Sequence, residues 1–220
     1  MFITSLNIIH TLRQKSIAKD FNIEYNDSKE VMLVELINNM FNNVVESYRS
    51  LKKVRVLCCL SMLVALGIVL DFTSGIYITP EIKITFSFLA IAVAGSLLGT
   101  VPAMICGALI DLLMYLIKPA GAFFPGYTLS AILSGFIFGM LLYKASGKKI
   151  IFLAPLSKLL VNIFINILLN TCWLKIFTGK AYTVLLGARI IKNLAAWPVE
   201  SAILVLIIVF ISKNRHRLIK

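Results

Sequence analysis

The chain has the length of a soluble domain but the composition of a membrane protein. Of its 220 residues, 59% are hydrophobic and only 15% are charged, and the mean hydropathy of +0.91 lies well above that of globular domains. The 22 basic and 10 acidic residues give a net charge of +12, but the basic residues are dispersed around long apolar runs. This pattern excludes a nucleic-acid-binding domain and a disordered or fibrous chain, and it predicts an integral membrane protein.

Residues 1–52 are more polar than the rest and are predicted to form a cytoplasmic N-terminal extension. From Leu33 to Leu51 the apolar residues recur at three- and four-residue spacing, which predicts an amphipathic helix, with Asp27 and Glu30 as a capping pair at its start. Its apolar stripe would lie on the inner leaflet or on a partner. The alternative is an extension without a specific role. No cleaved signal peptide is expected, because no apolar stretch here ends in a small-residue cleavage site.

Six transmembrane helices are predicted for the rest of the chain, because a span needs about 20 mostly apolar residues that pair their own backbone groups. The spans are residues 56–77, two spans within 84–117, and residues 127–143, 150–173 and 185–211. Residues 99–102 (Gly-Thr-Val-Pro) divide the long run, since glycine ends helices and proline is tolerated in a first turn. They predict a tight turn between two antiparallel spans of about 16 residues each.

The basic residues near the span ends predict the orientation of the chain. Six spans place both termini on one side, where eleven Lys and Arg residues lie, against six on the other side (Lys83, Lys118, Lys175, Lys180, Arg189 and Lys192). Since an excess of Lys and Arg marks the cytoplasmic side, both termini are predicted to be cytoplasmic. The predicted domains are the extension 1–52, a six-helix membrane domain 53–213 and a basic cytoplasmic tail 214–220. We expect a multi-pass protein of the cell membrane.

The sequence contains no recognisable catalytic or metal-binding constellation. Both histidines, His10 and His216, lie outside the predicted spans, the acidic residues after Arg55 are scattered, and the four cysteines lack C-x-x-C spacing. Residues 146–149 (Ser-Gly-Lys-Lys) lack the upstream glycine and the following hydroxyl of a phosphate loop. We therefore expect a non-enzyme that has no cofactor or metal site and cannot itself use ATP.

Basic residues on the predicted outer face are the first candidates for ligand binding. Six of them oppose only Asp71 and Glu81, and an anionic ligand would explain the excess. Arg189 and Lys192, at i and i+3, project from one face of the sixth span, a geometry able to hold a carboxylate. For Lys118, Lys175 and Lys180, snorkelling of the long side chains to the headgroups is the favoured interpretation.

Polar residues inside the apolar runs are the second group of candidates. Asp111 is a carboxylate in an otherwise apolar stretch, which makes it a functional candidate that needs a donor partner. The fifth span carries one polar stripe at i+4 steps, followed by an aromatic residue: Lys158, Asn162, Asn166, Asn170 and then Trp173. Hydrogen bonding between helices and recognition of a polar ring are both compatible with this stripe.

An aromatic, glycine-rich loop at residues 121–128 is the third candidate. Its Phe124 and Tyr127 could stack on a planar ligand or belong to an interfacial aromatic belt.

Taken in order, five segments resemble the folate-family substrate-binding (S) components of energy-coupling factor (ECF) vitamin transporters. The resemblance runs from about residue 55 to 210 and rests on residues 83–88, 95–111, 121–131, 170–173 and 189–193, of which 121–131 is the most specific. It implies a six-helix capture subunit for folate or a related pterin. Such a subunit joins a transmembrane coupling protein and two cytoplasmic ATPases, and topples in the membrane to release its substrate inside.

The resemblance also implies roles for individual residues. Small residues four apart on the first span, here Ser61 and Ala65, would dock the coupling protein. The ligand contacts implied are Asp111 or an asparagine of the fifth span for the pterin, Phe124 or Tyr127 for the rings, and Arg189, Lys192 or Lys83 for the glutamate tail.

Two other classes of protein remain as alternatives. A self-contained ion-coupled transporter of an aromatic anion would need a carboxylate relay and usually internal repeats, and the two halves show no self-similarity. A purely structural membrane protein would leave the outer basic cluster and the asparagines unexplained.

Overall fold

A computed structural model describes residues 27–73, 76–79, 82–119, 123–145, 147–179 and 182–219 of the chain. One compact unit comprises Phe41–Lys220, and it holds every element after the first half of the N-terminal helix. The elements in chain order are α1 Asp27–Ser50, α2 Val54–Thr73, β1 Ile76–Thr79, β2 Ile82–Ile84, α3 Phe88–Leu98, α4 Thr100–Ile117, α5 Pro125–Leu142, α6 Lys148–Leu160, a π-helical section Val161–Leu169, α7 Asn170–Thr178 and α8 Tyr182–Ile219.

The helical membrane fold is confirmed, but the count of six spans is not. Within the described residues, five helical segments are long and apolar enough to cross a membrane: Val54–Thr73, Thr100–Ile117, Pro125–Leu142, Lys148–Ile176 and Arg189–Lys213. The sixth apolar helix, α3, has 11 residues and extends only about 16 Å at 1.5 Å per residue. It is buried along nearly its whole length, as expected for a helix that is apolar on all sides and packs in the centre of a bundle.

The predicted turn at residues 99–102 is shorter than expected. Only Gly99 separates α3 from α4, with φ 103°, and α4 begins at Thr100. Pro102 is therefore already inside the first turn of α4, where its missing N–H group costs no helical hydrogen bond. The two helices have 11 and 18 residues rather than the expected equal lengths.

The first predicted span also ends earlier than expected. The helix stops at Thr73, and Tyr77 lies in a short antiparallel hairpin, where it pairs with Lys83. The hairpin connects α2 to the central helix α3 and adds a small β element to the helical fold.

The fifth span is one continuous helical run with an internal change of geometry. From Lys148 to Thr178 the chain passes through α6, the π-helical section and α7 without a break. A π-helix forms its hydrogen bonds from i to i+5, is rare, and is often found at functional sites. The section contains Asn162 and Asn166 and ends immediately before Asn170.

The predicted N-terminal helix is present and begins at Asp27, although the side chains of its first turns lie outside the described residues. Its exposed positions include Phe41 and Tyr48 of the predicted apolar stripe, whereas the polar residue Ser47 is fully buried. The predicted placement of the stripe on the inner leaflet stays a prediction.

Candidate functional site

The helix bundle has two ends with different chemistry. At the Pro125 end, α4 and α7 finish and α5 and α8 begin. At the Lys144 end, α3 joins α4 and α5 is followed by α6. The sequence predicts that the Pro125 end faces outward and the Lys144 end faces the cytoplasm.

Three aromatic rings meet at the Pro125 end. The Phe124 ring centroid lies 6.0 Å from that of Tyr127, in an edge-to-face arrangement, and 5.5 Å from that of Trp173. The Trp173 indole Nε1–H donates a hydrogen bond to Ser130 Oγ at 3.2 Å, and Ser130 is buried. This aromatic cluster (Phe124, Tyr127 and Trp173) joins the start of α5 to α7, which were separate candidates in the sequence.

Asp111 finds its hydrogen-bond donor on α5 rather than on the polar stripe of the fifth span. Thr128 Oγ1 donates to Asp111 Oδ2 at 2.6 Å, and the carboxylate is half-buried. Thr128 stands in the aromatic loop segment, one residue after Tyr127. Through Thr128, the Asp111 carboxylate is bonded to the residue that follows Tyr127 of the aromatic cluster, and its second oxygen can still accept a hydrogen bond.

The three asparagines of the fifth span form a directed chain of amides. Asn166 Nδ2 donates to Asn162 Oδ1 at 2.9 Å, and Asn170 Nδ2 donates to Asn166 Oδ1 at 3.3 Å. The Arg189 guanidinium donates to the main-chain carbonyl of Asn166 at 3.1 Å. The asparagine ladder (Asn162, Asn166 and Asn170) therefore lies against α8 through Arg189, within the π-helical section and at its end.

Both ends of the ladder keep unused hydrogen-bonding capacity. Asn162 Nδ2, Asn170 Oδ1 and Arg189 Nε are buried without a hydrogen-bond partner among the described residues. Buried polar atoms are costly unless they are paired. Asn170 precedes Trp173 by three residues on the same helical run, so its unused acceptor and the Arg189 donor suit a planar ligand that carries both kinds of group.

Lys158, which the sequence placed in the same polar stripe, has a different role. Its Nζ lies 3.3 Å from Glu200 Oε2, and the two side chains are only 3% and 8% exposed. The same ammonium lies 3.4 Å from the centroid of the Phe88 ring. Sequence reasoning missed this pair, although two opposite charges in neighbouring spans were a signal for it, because the partners are distant along the chain.

The basic candidates are not all brought together. Arg189 lies in the site through its contact with Asn166, and Lys192 is half-buried one turn further along α8 and interacts within the chain. Asn193 turns its side chain back onto the Arg189 carbonyl at 2.8 Å. Lys83 lies in β2, and its side chain lies outside the described residues, as do loop residues 121–122.

The predicted docking residues lie on the side of α2 that faces away from the helix bundle. Ser61 and Ala65 are exposed, whereas Val56, Leu60, Val64 and Gly67 form the buried side of that helix. The Ser61 hydroxyl bonds to the Leu57 carbonyl of its own helix at 3.0 Å. A close approach by another helix is therefore sterically open along this face.

No group of three or more His, Cys, Asp or Glu side chains that could hold a metal ion occurs among the described residues. The chemistry of the site comes from aromatic rings, amides, one guanidinium and one carboxylate. The fold defines a multi-pass membrane protein, and the polar and aromatic side chains inside its helix bundle form a candidate binding region.

The chain belongs to the family of ECF transporter substrate-specific components, whose sequence model matches residues 55–209. The chain is 37% identical over 157 residues to the folate transporter FolT of Clostridium novyi (strain NT). This match covers 70% of this chain and 88% of that protein. It is 29% identical over 150 residues to the folate transporter FolT of Leuconostoc mesenteroides subsp. mesenteroides, covering 66% of this chain and 79% of the relative.

A solved structure shares the fold. The crystal structure of FolT bound with folic acid superposes with a TM-score of 0.62 at 30% sequence identity, and the match covers 68% of this chain and 91% of the other. The first 50 residues lie outside the family match.

Proposed function

We propose that this chain is the substrate-capture subunit of an ECF-type transporter and that its ligand is folate or a closely related pterin. The observation that carries the proposal is the convergence of the aromatic cluster, the asparagine ladder and Arg189 at one end of the bundle. The relatives named as folate transporters support the same assignment.

The chemistry of folate matches the three parts of this region. A pterin has donors and acceptors along one edge, which suit Asn170 Oδ1 and the Asp111 carboxylate. The ring systems suit stacking on Phe124 or Tyr127. The glutamate tail is a dianion, for which Arg189 and Lys192 supply positive charge and Arg189 supplies a planar fork of donors.

The test is a direct binding measurement on the purified chain. Because capture needs only the binding region, the chain in detergent should bind folic acid in calorimetry without ATP and without an ion gradient. A matched titration with a non-aromatic dicarboxylate controls for simple charge attraction. Absence of binding to folic acid, reduced folate and pterin, together with binding of an unrelated solute, contradicts the proposed substrate.

We further propose that transport requires a transmembrane coupling protein and two cytoplasmic ATPases, and that the loaded subunit topples to deliver folate inside the cell. Ser61 and Ala65 would form the docking surface, which is supported by their exposure on α2.

The substitution Ala65→Trp tests this coupling step. It should abolish uptake in cells that carry the ATP-driven module, because a bulky side chain prevents close helix approach, and it should leave folate binding by the purified chain unchanged. Leu206→Trp is the matched control, since Leu206 is 71% exposed on α8 and has no predicted docking role. Undiminished uptake by Ala65→Trp contradicts the docking surface. Uptake driven by an ion gradient without the module would favour the ion-coupled alternative instead.

A further inference from the structure

The second half of α1 is attached to the Lys144 end of the bundle through a buried serine. Ser47 has no exposed surface, although it stands in a helix whose neighbours Glu46, Tyr48 and Arg49 are exposed. Its Oγ accepts a hydrogen bond from the Val101 backbone N–H at 3.2 Å and donates to the Val44 carbonyl at 2.9 Å. A polar side chain from one helix is therefore placed at the first turn of another.

This contact supplies a helix cap that the local sequence lacks. The N-cap residue of α4 is Gly99, which has no side chain, so it cannot accept a bond from the free N–H groups of the first turn. Serine is among the preferred N-cap residues because its oxygen accepts from the second or third N–H group. Here the serine comes from 54 positions earlier in the chain and caps α4 from outside.

The junction at Gly99 has space for this serine and for little else. A Cβ at Gly99 would lie 2.5 Å from the Ser47 Cβ and 3.2 Å from the Tyr143 ring, and the φ angle of +103° is one that other residues rarely adopt. On the adjoining side, a Cβ at Gly139 would lie 3.0 Å from the Thr100 nitrogen. The ends of α3, α4 and α5 thus meet closely where Ser47 inserts.

A second contact fixes α1 to the connection that follows α5. Lys144 Nζ lies 2.5 Å from Glu46 Oε2, with side chains 48% and 56% exposed. A pair this exposed contributes little stability by itself. It lies beside Ser47 in sequence and joins the same turn of α1 to the connection that follows α5.

We propose that residues 41–50 act as a clamp that locks the α3–α4 and α5–α6 junctions together at the Lys144 end. These residues lie outside the family match, which begins at residue 55, and they belong to the same compact unit as the bundle. The clamp gives the N-terminal extension a structural task on the bundle, and it does not depend on the identity of the transported ligand.

Hydrogen exchange of the full-length chain in detergent tests the clamp. Pro102 has no amide, so subtracting a fragment that ends at Gly99 from a longer fragment with the same start that ends at Pro102 leaves only the Thr100 and Val101 amides; this difference is the 100–102 fragment. Ser47→Ala removes the acceptor for Val101, and exchange of this fragment should become about five-fold faster, the effect typical of losing an N-cap. Exchange in residues 44–50 should rise as well.

Ser50→Ala is the matched control, because it deletes a hydroxyl one turn further along α1 that bonds only to the Ser47 carbonyl among its described contacts. It should leave the 100–102 fragment unchanged. Unaltered exchange at residues 100–102 in Ser47→Ala, or an equal acceleration in Ser50→Ala, overturns the proposal.

A charge exchange keeps the proposal testable if Ser47→Ala proves to unfold the whole chain. Glu46→Lys should accelerate exchange in residues 44–50 about two-fold, and adding Lys144→Glu should restore the original rate. Failure of the second substitution to restore it shows that α1 is not attached through this pair and overturns the clamp.

Discussion

The Pro125 end and the Lys144 end of the bundle differ in the side chains that hold their helices together. At the Lys144 end, small residues let backbones touch, and the hydroxyl of Ser47 is paired on both sides. At the Pro125 end, large aromatic rings and amides hold the helices together, and Asn170 Oδ1 and Arg189 Nε are buried without a hydrogen-bond partner among the described residues. Thr100 Oγ1 at the Lys144 end is also buried without such a partner, so the two ends differ in the aromatic rings, amides and guanidinium that only the Pro125 end brings together, which are the kinds of group found in ligand sites.

The buried ion pair between Lys158 and Glu200 separates these two regions along the fifth span. It pairs two opposite charges inside the membrane and connects α6 to α8. Lys158 lies about one helical turn before Asn162, the first residue of the asparagine ladder. The charge available to the proposed ligand would therefore come from Arg189 and Lys192, against the Asp111 carboxylate. Substitutions at the Pro125 end should change affinity, and substitutions at the Lys144 end should change stability.

The largest expected effect is on affinity, from Arg189→Ala. Loss of a hydrogen bond to a charged group costs about 1.5–3 kcal/mol, which is about ten-fold to a hundred-fold in the dissociation constant for folate. The measurement is calorimetry with folate and with a pterin that lacks the glutamate tail. The loss should be larger for folate, because only folate carries the carboxylates.

Lys175→Ala serves as the control for charge at the same end, since Lys175 is exposed on α7. It should change the affinity for folate by less than about two-fold, as expected for a screened surface charge. Equal losses for folate and the shortened pterin in Arg189→Ala would show that Arg189 acts through its bond to the Asn166 carbonyl and holds the fold.

The next effect is on stability, from Gly139→Ala at the Lys144 end. The added methyl group would be forced against the backbone of Thr100, so α4 and α5 must separate, and overpacking of this kind costs about 1–3 kcal/mol of unfolding free energy. Thermal unfolding of the purified chain should show a lower midpoint. Folate affinity of the folded protein should be unchanged, because the site is at the other end.

Gly187→Ala is the matched control for this substitution. Gly187 lies in α8, and a Cβ there meets no atom within 4 Å. The change should leave the midpoint unaltered or raise it slightly, because alanine favours a helix over glycine by up to about 1 kcal/mol. If both glycine variants behaved alike, close packing would not distinguish the Lys144 end.

The sequence predicted well the features that depend on local composition. Long apolar runs fix where most helices lie, and the break after residue 98 was visible because glycine and proline interrupt the run. The predicted helix ends were less accurate. The first span was expected to reach Tyr77 because the hairpin strand after the helix is also apolar, but the helix stops at Thr73. The π-helical section had no visible signal, since its residues look like any apolar helix.

The site was predicted as a set of residue types and not as a set of contacts. Phe124, Trp173 and Arg189 were singled out because polar and aromatic residues are conspicuous in apolar surroundings. Their partners Ser130 and the Asn166 carbonyl were not, because a serine or a main-chain oxygen has no distinctive pattern. Ser47 was missed for the same reason, as the helix pattern emphasised its apolar neighbours.

The smallest expected effect tests the internal order of the aromatic cluster. Trp173→Phe keeps a ring beside Phe124 but removes the indole N–H that donates to Ser130. A neutral hydrogen bond contributes about 0.5–1.5 kcal/mol, so folate affinity should fall about two-fold to ten-fold as the ring loses its fixed orientation. Ser130→Ala removes the same bond from the other side and should produce a loss of the same size.

The double variant Trp173→Phe/Ser130→Ala decides whether the bond or the individual side chains matter. If the hydrogen bond is what orients the ring, the second substitution should add almost nothing to the first, because neighbouring sites that share one interaction are not additive. Calorimetry on the four proteins gives the coupling energy directly. Additive losses would show that Trp173 and Ser130 contact the ligand separately, and the cluster would then be a set of independent contacts and not a surface fixed in advance of binding.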